Sequence, residues 1–267
     1  MNHLRPRLFV GSSKRLLPVA RALAQELRDQ FEPVVWEIAG FGLSASLLDE
    51  LTLIARRTDL SAFIFGADDV LWGRTRARDV PRDNVVFELG IFIGASHRSR
   101  AFFLIPEDEQ DFHIPSDLGG VIAGRFDERL AVSDPRTCVL NACASIRHTV
   151  ASLQKEYALS GSWIHRWTAP DGREHDCELR LLQLGQHIRG VYQWSGLQFE
   201  VYGEIERANL VTANYRCVDR RQGYSGAIHL VLDPQGRKGS GKWAGWSFST
   251  SPSDVNSGDC RWIRLGS

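Results

Sequence analysis

Two different rhythms of apolar and polar residues divide the chain, and one gives way to the other near Leu159-Ser160-Gly161. Before that point short apolar runs alternate with stretches whose apolar residues recur every three to four positions, which is the pattern of strands alternating with helices. Leu8-Phe9-Val10 reads as a strand and Gly11-Ser12-Ser13 as a tight loop, and Leu16, Leu17, Ala20, Leu23, Ala24 and Leu27 form the buried stripe of a helix. Pro33 to Ile38 is a second strand, broken by Gly40-Phe41-Gly42. The next helix opens with Ser46 and Asp49 and buries Leu47, Leu48, Leu51 and Ile54. Leu60 to Gly66 is apolar throughout, as a strand covered on both faces is. The polar, Arg-rich segment Gly73 to Asp79 is expected to be a mobile loop. Ala101 to Ile105 is a fourth strand, Ala123 to Phe126 a short fifth, and a last helix is expected from about Pro135 to Tyr157. This order predicts an α/β domain with a five-stranded parallel sheet of the flavodoxin type, in which ligands sit beyond the carboxyl ends of the strands.

After residue 158 the period drops to two. Trp163 to Trp167, His175 to Leu184, His187 to Gln193, Phe199 to Ile205, Leu210 to Cys217, Ser225 to Leu232, Gly241 to Phe248 and Asp259 to Leu265 alternate, with turns such as Ala169-Pro170-Asp171-Gly172 between them. About eight antiparallel strands without helices predict a small up-and-down barrel, whose closure removes exposed edges. The expected organisation is therefore an α/β domain over 1–158 and an all-β domain over 159–267.

The stretch around which the first domain is organised is Pro81 to Gly94, PRDNVVFELGIFIG. Asp83 or Asn84 can cap a helix entered through Pro81, and Val85, Val86, Phe87, Leu89, Ile91, Phe92 and Ile93 predict a helix buried on nearly every side. Glu88 stands in the middle of it, and the positions one turn away offer no cation. A lone buried carboxylate is costly unless it has a task or a distant Arg to pair with. Gly90 and Gly94, four apart, leave room for a neighbouring backbone.

Composition removes several classes. Formal net charge is +0 with acids and bases interspersed, so no basic field favours a nucleic-acid polymer or a membrane surface. No apolar run approaches the length of a membrane span, and MNHLRPRLFVG has no signal-peptide core, so a soluble, cytoplasmic protein is expected. Cys138, Cys143, Cys177, Cys217 and Cys260 are scattered and read as small buried hydrophobes. The histidines, His97, His148 and His165 among them, lack metal-ligand spacing, and no metal is expected.

The segments LFVGSS, FIFGADD, PRDNVVFELGIFIG and IPSDLGGV, with the Trp36 strand and the GFGLS after it, resemble the bacterial TIR-like, nucleotide-binding domains of CBASS-type antiviral effectors, including those fused to STING domains. The likeness covers roughly the first 130 residues. It implies an NAD⁺ glycohydrolase with NAD⁺ as substrate rather than cofactor, in which the Glu of the FELG string, here Glu88, is catalytic. It also implies activity on assembly into a homo-oligomer, with Gly40 to Ser44 against a neighbour. Ser12 and Ser13 can hold a diphosphate or ribose, or form an ordinary helix cap. Trp36 can stack on a base or pack in the core, and Asp68 and Asp83 can bond ribose hydroxyls or cap helices. One carboxylate suits this chemistry, because nicotinamide leaves a cation as a neutral base and needs no general acid, while the ribose becomes an oxocarbenium-like cation that an anion in apolar surroundings stabilises.

In the second half Gly161-Ser162-Trp163, GQHIRGVY, FEVYGEI, GYSGAIHLVL and KWAGWS look like the minimal β-barrel sensor of CD-NTase-associated defence effectors, which implies a cyclic di- or oligonucleotide activator. Lipocalin-like and avidin-like barrels share the pattern. Arg189, Tyr192, Trp194, Tyr202, Arg216, Tyr224 and Trp246 are the candidate ligand residues, since aromatic rings sandwich bases and guanidinium groups hold phosphates. Two alternatives stand beside the NAD⁺ reading: a nucleoside deoxyribosyltransferase or nucleotide N-glycosidase, and a non-catalytic nucleotide-binding signalling scaffold.

Overall fold

In a computed structural model of the protein, which describes residues 4–36, 47–72, 77–107, 112–118, 122–155, 159–206, 209–246 and 255–266, the two rhythms fold separately. Two compact units result, Arg5–Val150 and Ala151–Ser267, the second also taking the N-terminal residues up to Leu4.

The first unit runs β1 (Arg7–Ser12), α1 (Leu17–Glu26), β2 (Glu32–Val35), α2 (Leu47–Ala55), β3 (Leu60–Ile64), β4 (Asp69–Trp72), β5 (Ala77–Val80), α3 (Asp83–Ser96), β6 (Ala101–Pro106), β7 (Ile122–Phe126), α4 (Pro135–Cys138) and α5 (Leu140–Lys155), the last reaching past its end. The sheet is five-stranded and parallel, in the order β2-β1-β3-β6-β7. With the β4–β5 hairpin set aside this is the flavodoxin-like order, whose topological switch lies between β1 and β3. Alternation along β1 and β3 sends Phe9, Phe63 and Phe65 into a core shared with α2 and α3. Phe92 of α3 lies 4.3 Å from the Phe9 ring and 5.3 Å from that of Phe63.

Five expectations change. Ala77–Val80, placed in the Arg-rich loop, is a strand paired with Asp69–Trp72, because Val70, Leu71 and Trp72 favour an extended partner. The last helix is two, α4 and α5. The Asp134 carboxylate accepts from the Thr137 N–H at 3.1 Å to start the first of them, and Val139 separates the pair. Neither Asp83 nor Asn84 caps α3. Arg82 holds that position without a side-chain bond, and Asp83 sits in the first turn, where its charge meets the positive end of the helix. Nor is α3 buried all round: it lies on one face of the sheet, turning Val85, Glu88, Leu89, Phe92 and Ser96 inward and leaving Phe87 61% exposed. Gly90 and Gly94 accordingly face open space among the described residues, and the close neighbouring backbone expected there is not among them. Gly40-Phe41-Gly42, the loop Gly40 to Ser44 and Ser46 lie outside the described residues.

The second unit is a closed barrel of β8 (Gly161–Thr168), β9 (Glu174–Leu184), β10 (His187–Trp194), β11 (Leu197–Glu206), β12 (Leu210–Cys217), β13 (Ser225–Leu232), β14 (Lys238–Trp246) and β15 (Asn256–Arg264). Each strand pairs antiparallel with the next, and β15 closes on β8. Ser195 and Gly196 join β10 to β11 with φ of 52° and 77°, the two positive values that a tight hairpin matching strand twist requires. The interior is filled by Trp163, Trp262, Leu179, Leu181, Ile188, Val201, Val211, Ile228 and Leu230. Cys138, Cys143, Cys217 and Cys260 are buried and Cys177 half-buried, all as free thiols.

Candidate active site and barrel cavity

Glu88 projects from the buried face of α3 one turn before Phe92, and its residue is 6% exposed. Phe9, Trp36, Phe63, Phe65, Val85 and Leu89 belong to the apolar cluster behind it, with Phe112 and, from the IPSDL stretch, Ile114 and Leu118 packed on. Among the described residues its Oε2 has no hydrogen-bond partner. Burial alone pushes the carboxyl up from its ordinary 4.5 to about 7, since no cation offsets the loss of water. An acid so placed is half ionised near neutral pH and ready to meet a cation brought by a ligand.

The loops after β1 and β3 are tied together beside the switch point. The Ser13 hydroxyl donates to Asp68 Oδ1 at 3.0 Å, and Arg15 Nε donates to the same oxygen at 2.8 Å. The other end of the Arg15 guanidinium bonds Glu128, after β7. Gly66 permits this closeness, because a Cβ there would come within 2.5 Å of Arg15 Nη2 and Leu16. Asp68 thus anchors the loops through Oδ1. Its carboxylate faces Ser13 and Arg15, and its Oδ2 is buried without a partner among the described residues. Arg15→Ala leaves two nearly buried carboxylates uncompensated and is expected to lower stability by about 1–3 kcal/mol. Urea denaturation measures this; a neutral effect would mean that Asp68 and Glu128 hold other partners.

The remaining candidates separate. Trp36 is a core residue, 6% exposed and tilted against Phe9 at 5.9 Å, which is the packing alternative of the two expected for it. Ser12 alternates with Phe9 and Gly11 along β1, which turns its side chain to the face opposite α3; its Oγ is buried without a partner among the described residues. On the α3 side β1 presents Phe9 and Gly11. Asp83 is exposed at the start of α3, five residues before Glu88.

In the barrel, Tyr192, Trp194, Tyr224 and Trp246 line a cavity of about 190 Å³. Arg189, Tyr202 and Arg216 do not. Arg189 lies out of phase with Tyr192 and Trp194 on β10, so it points to the outer face, where it is buried. Arg216 is also on the outer face, paired with Glu200 at 2.8 Å and held 5.5 Å over the Tyr202 ring. The phosphate-holding role expected for these arginines is corrected by the pleat. The pleat equally brings in residues that clustering by composition missed, among them His165, Trp167, His175, Tyr215, Trp243 and Asn256. His165 accepts from Trp262 Nε1 at 3.0 Å through Nδ1, and burial holds its pKa down to about 3, so it is neutral.

The first unit thus combines a parallel flavodoxin-like sheet with a buried Glu whose Oε2 has no partner among the described residues, and known proteins resemble it. Residues 7–128, within the first unit, match the family model described as "CAP12/Pycsar effector protein, TIR domain". Over 123 residues, 46% of this chain, it is 35% identical to CD-NTase-associated protein 12 of Sphingobacterium faecium, of which the match covers 37%. Over 120 residues, 45% of this chain, it is 36% identical to the Pycsar effector protein PaPycTIR of Pseudomonas aeruginosa, of which 39% is covered. The chain therefore spans less than half the length of these two relatives. The barrel half overlays a solved structure titled "Structure of EF1p2_mFAP2b bound to DFHBI" at 11% identity and a TM-score of 0.36, over 43% of this chain and 97% of that one, a likeness too distant to carry an argument. Among the described residues no helix is long and apolar enough to cross a membrane.

Proposed function

We propose that the protein is an antiviral effector that hydrolyses NAD⁺ to nicotinamide and ADP-ribose, or its cyclised form, when the barrel binds a cyclic nucleotide and the protein assembles. The observation that carries this reading is Glu88, a carboxylate in apolar surroundings with an unpartnered oxygen beside the switch point. The names of the relatives, a CD-NTase-associated protein and a Pycsar effector, support the signalling half.

In the reaction the bond between ribose C1′ and the nicotinamide nitrogen breaks, and its electron pair stays on the ring, which becomes neutral. Positive charge then builds on C1′ and the ring oxygen. Ionised Glu88 faces that charge in surroundings where water screens it little, and the attraction grows as the bond lengthens. Water adds to C1′ and releases a proton to solvent, or a nucleophile within ADP-ribose closes the cyclic product. Binding of a cationic nicotinamide ring also favours the ionised acid, so substrate assists its own catalyst.

The test mixes purified protein with NAD⁺ and a panel of cyclic mono- and dinucleotides and follows nicotinamide release. Turnover with some member of the panel is expected; base release from nucleosides but not from NAD⁺ would select the N-glycosidase alternative, and tight NAD⁺ binding with no product would select a scaffold. The pH profile gives a sharper check. Only ionised Glu88 serves, and its pKa is raised, so kcat/KM should climb with pH and level off above about 7. An acid at its ordinary 4.5 would give a flat profile between pH 6 and pH 8.

A further inference from the structure

The barrel cavity is walled by rings. Tyr192 stacks on Phe199 at 4.8 Å with an interplanar angle of 2°, and His165 stacks on Trp167 at 4.9 Å. Trp194 meets Trp167 edge-on at 5.4 Å and His175 at 5.5 Å, and Tyr224 lies 6.2 Å from Phe199. The lining holds no Arg, Lys, Asp or Glu among the described residues; its polar groups are imidazole, phenol, indole and the amide of Asn256. His165 adds no charge, being neutral in its bond with Trp262. The barrel arginines Arg166 and Arg216 are engaged outside, with Asp176 and Glu200.

Size narrows the occupant further. A cavity of about 150 Å³ lined by apolar side chains takes one benzene ring, and this one is about 190 Å³. That is room for one planar system of one or two fused rings and not for a sugar-phosphate macrocycle. An anion inside would lose its water and meet no cation in exchange, which is strongly unfavourable.

We infer that the cavity is a receptor for a single uncharged planar heteroaromatic ring of nucleobase size, with any sugar and phosphate left outside the wall. This rests on the reading of the barrel as the ligand-sensing half. The ring stacks among Trp167, Tyr192 and Trp194, and its edge meets polar groups such as the Asn256 amide and the His175 imidazole. Selectivity is then exercised on the base, and the anionic part of a cyclic nucleotide contributes little to affinity for the barrel.

Calorimetry on the full chain tests this with the four common nucleosides, their cyclic mono- and dinucleotides, and ribose 5-phosphate. A nucleoside and its cyclic nucleotide should bind within about tenfold of each other, ribose 5-phosphate should not compete, and raising NaCl from about 50 to 500 mM should change Kd less than about twofold, since few ions are released. Trp194→Ala should weaken both ligands at least tenfold, and Arg216→Ala should weaken neither. If Trp194→Ala fails to fold, the salt series and the nucleoside comparison on the unaltered chain decide. Binding that demands the phosphate, that falls steeply with salt, or that is absent for every ring at millimolar concentration overturns the inference. Nicotinamide release in the same samples separates the two readings: a nucleoside that binds without provoking turnover leaves the cavity assignment standing and counts against activation through the barrel.

Discussion

Glu88→Gln is expected to abolish nicotinamide release and, at pH 8, to make the protein more stable. The first effect follows from removing the one anion placed against the developing cation, a loss of at least about 10²–10³ in turnover for a group of this kind. The second follows from linkage. The unfolded acid ionises at its ordinary 4.5 and the folded acid at about 7. Between those values the unfolded chain has given up its proton and the folded chain has kept it, so stability falls as pH rises through that window and is flat above it. Held to the ionised form at pH 8, the folded protein carries a penalty of roughly 3 kcal/mol. Glutamine does not ionise and escapes that penalty, while its amide, like the protonated acid, keeps an unpartnered polar atom, a burden common to both. Thermal melts should therefore place the variant several degrees above the parent at pH 8 and within about 1 kcal/mol of it at pH 5. Turnover equal to the parent would end the catalytic assignment. A variant less stable at both pH values would mean that the carboxylate holds a stabilising partner, and the burial argument would fail with it.

Why some of this could be read from the chain and some could not comes down to the range of the interactions. Glu88 was legible because its isolation is local: Asn84, Val85, Ile91 and Phe92 are its helical neighbours, and none is a cation. That Phe87 on the same helix faces outward was not, because an apolar run shows that a helix has a buried side without showing how wide it is. Trp36 was undecidable in sequence, since Phe9, the ring it packs against, stands on a neighbouring strand. The barrel errors differ in kind. Arg189 and Tyr192 are three apart on one strand, so period two alone puts them on opposite faces. Grouping aromatic residues with arginines by composition ignored that parity, and the same parity, combined with strand register, leads from Tyr192 to the missed lining residues His165 and His175. That Asp68 ties two loops together was not legible, because its partner Arg15 is 53 residues away and joins it only when β1 and β3 are neighbours.

The largest loss of stability in the second unit should come from Trp163→Ala. The barrel interior is divided: Trp163 and Trp262, both fully buried, belong to the packed core, and the cavity is built from other rings. Truncating a fully buried Trp to Ala typically removes about 3–5 kcal/mol through lost burial and the void left behind. Here two further groups suffer. Trp163 Nε1 donates to the Leu159 carbonyl at 2.8 Å in a buried setting, so the variant leaves that acceptor without its donor. The Arg264 guanidinium, 5.6 Å over the indole, loses the ring it covers. Trp246→Ala is the comparison, because Trp246 is only half-buried and lines the cavity, so its removal takes less from the core. In urea, monitored by the fluorescence of the remaining tryptophans, Trp163→Ala should unfold at clearly lower denaturant with most of the α/β unit's circular dichroism retained, while Trp246→Ala should shift the midpoint by less than about 1.5 kcal/mol and lose ring binding. If the two variants were equally stable, the barrel would have no packed end distinct from its open one, and the cavity would be a gap in a loose core.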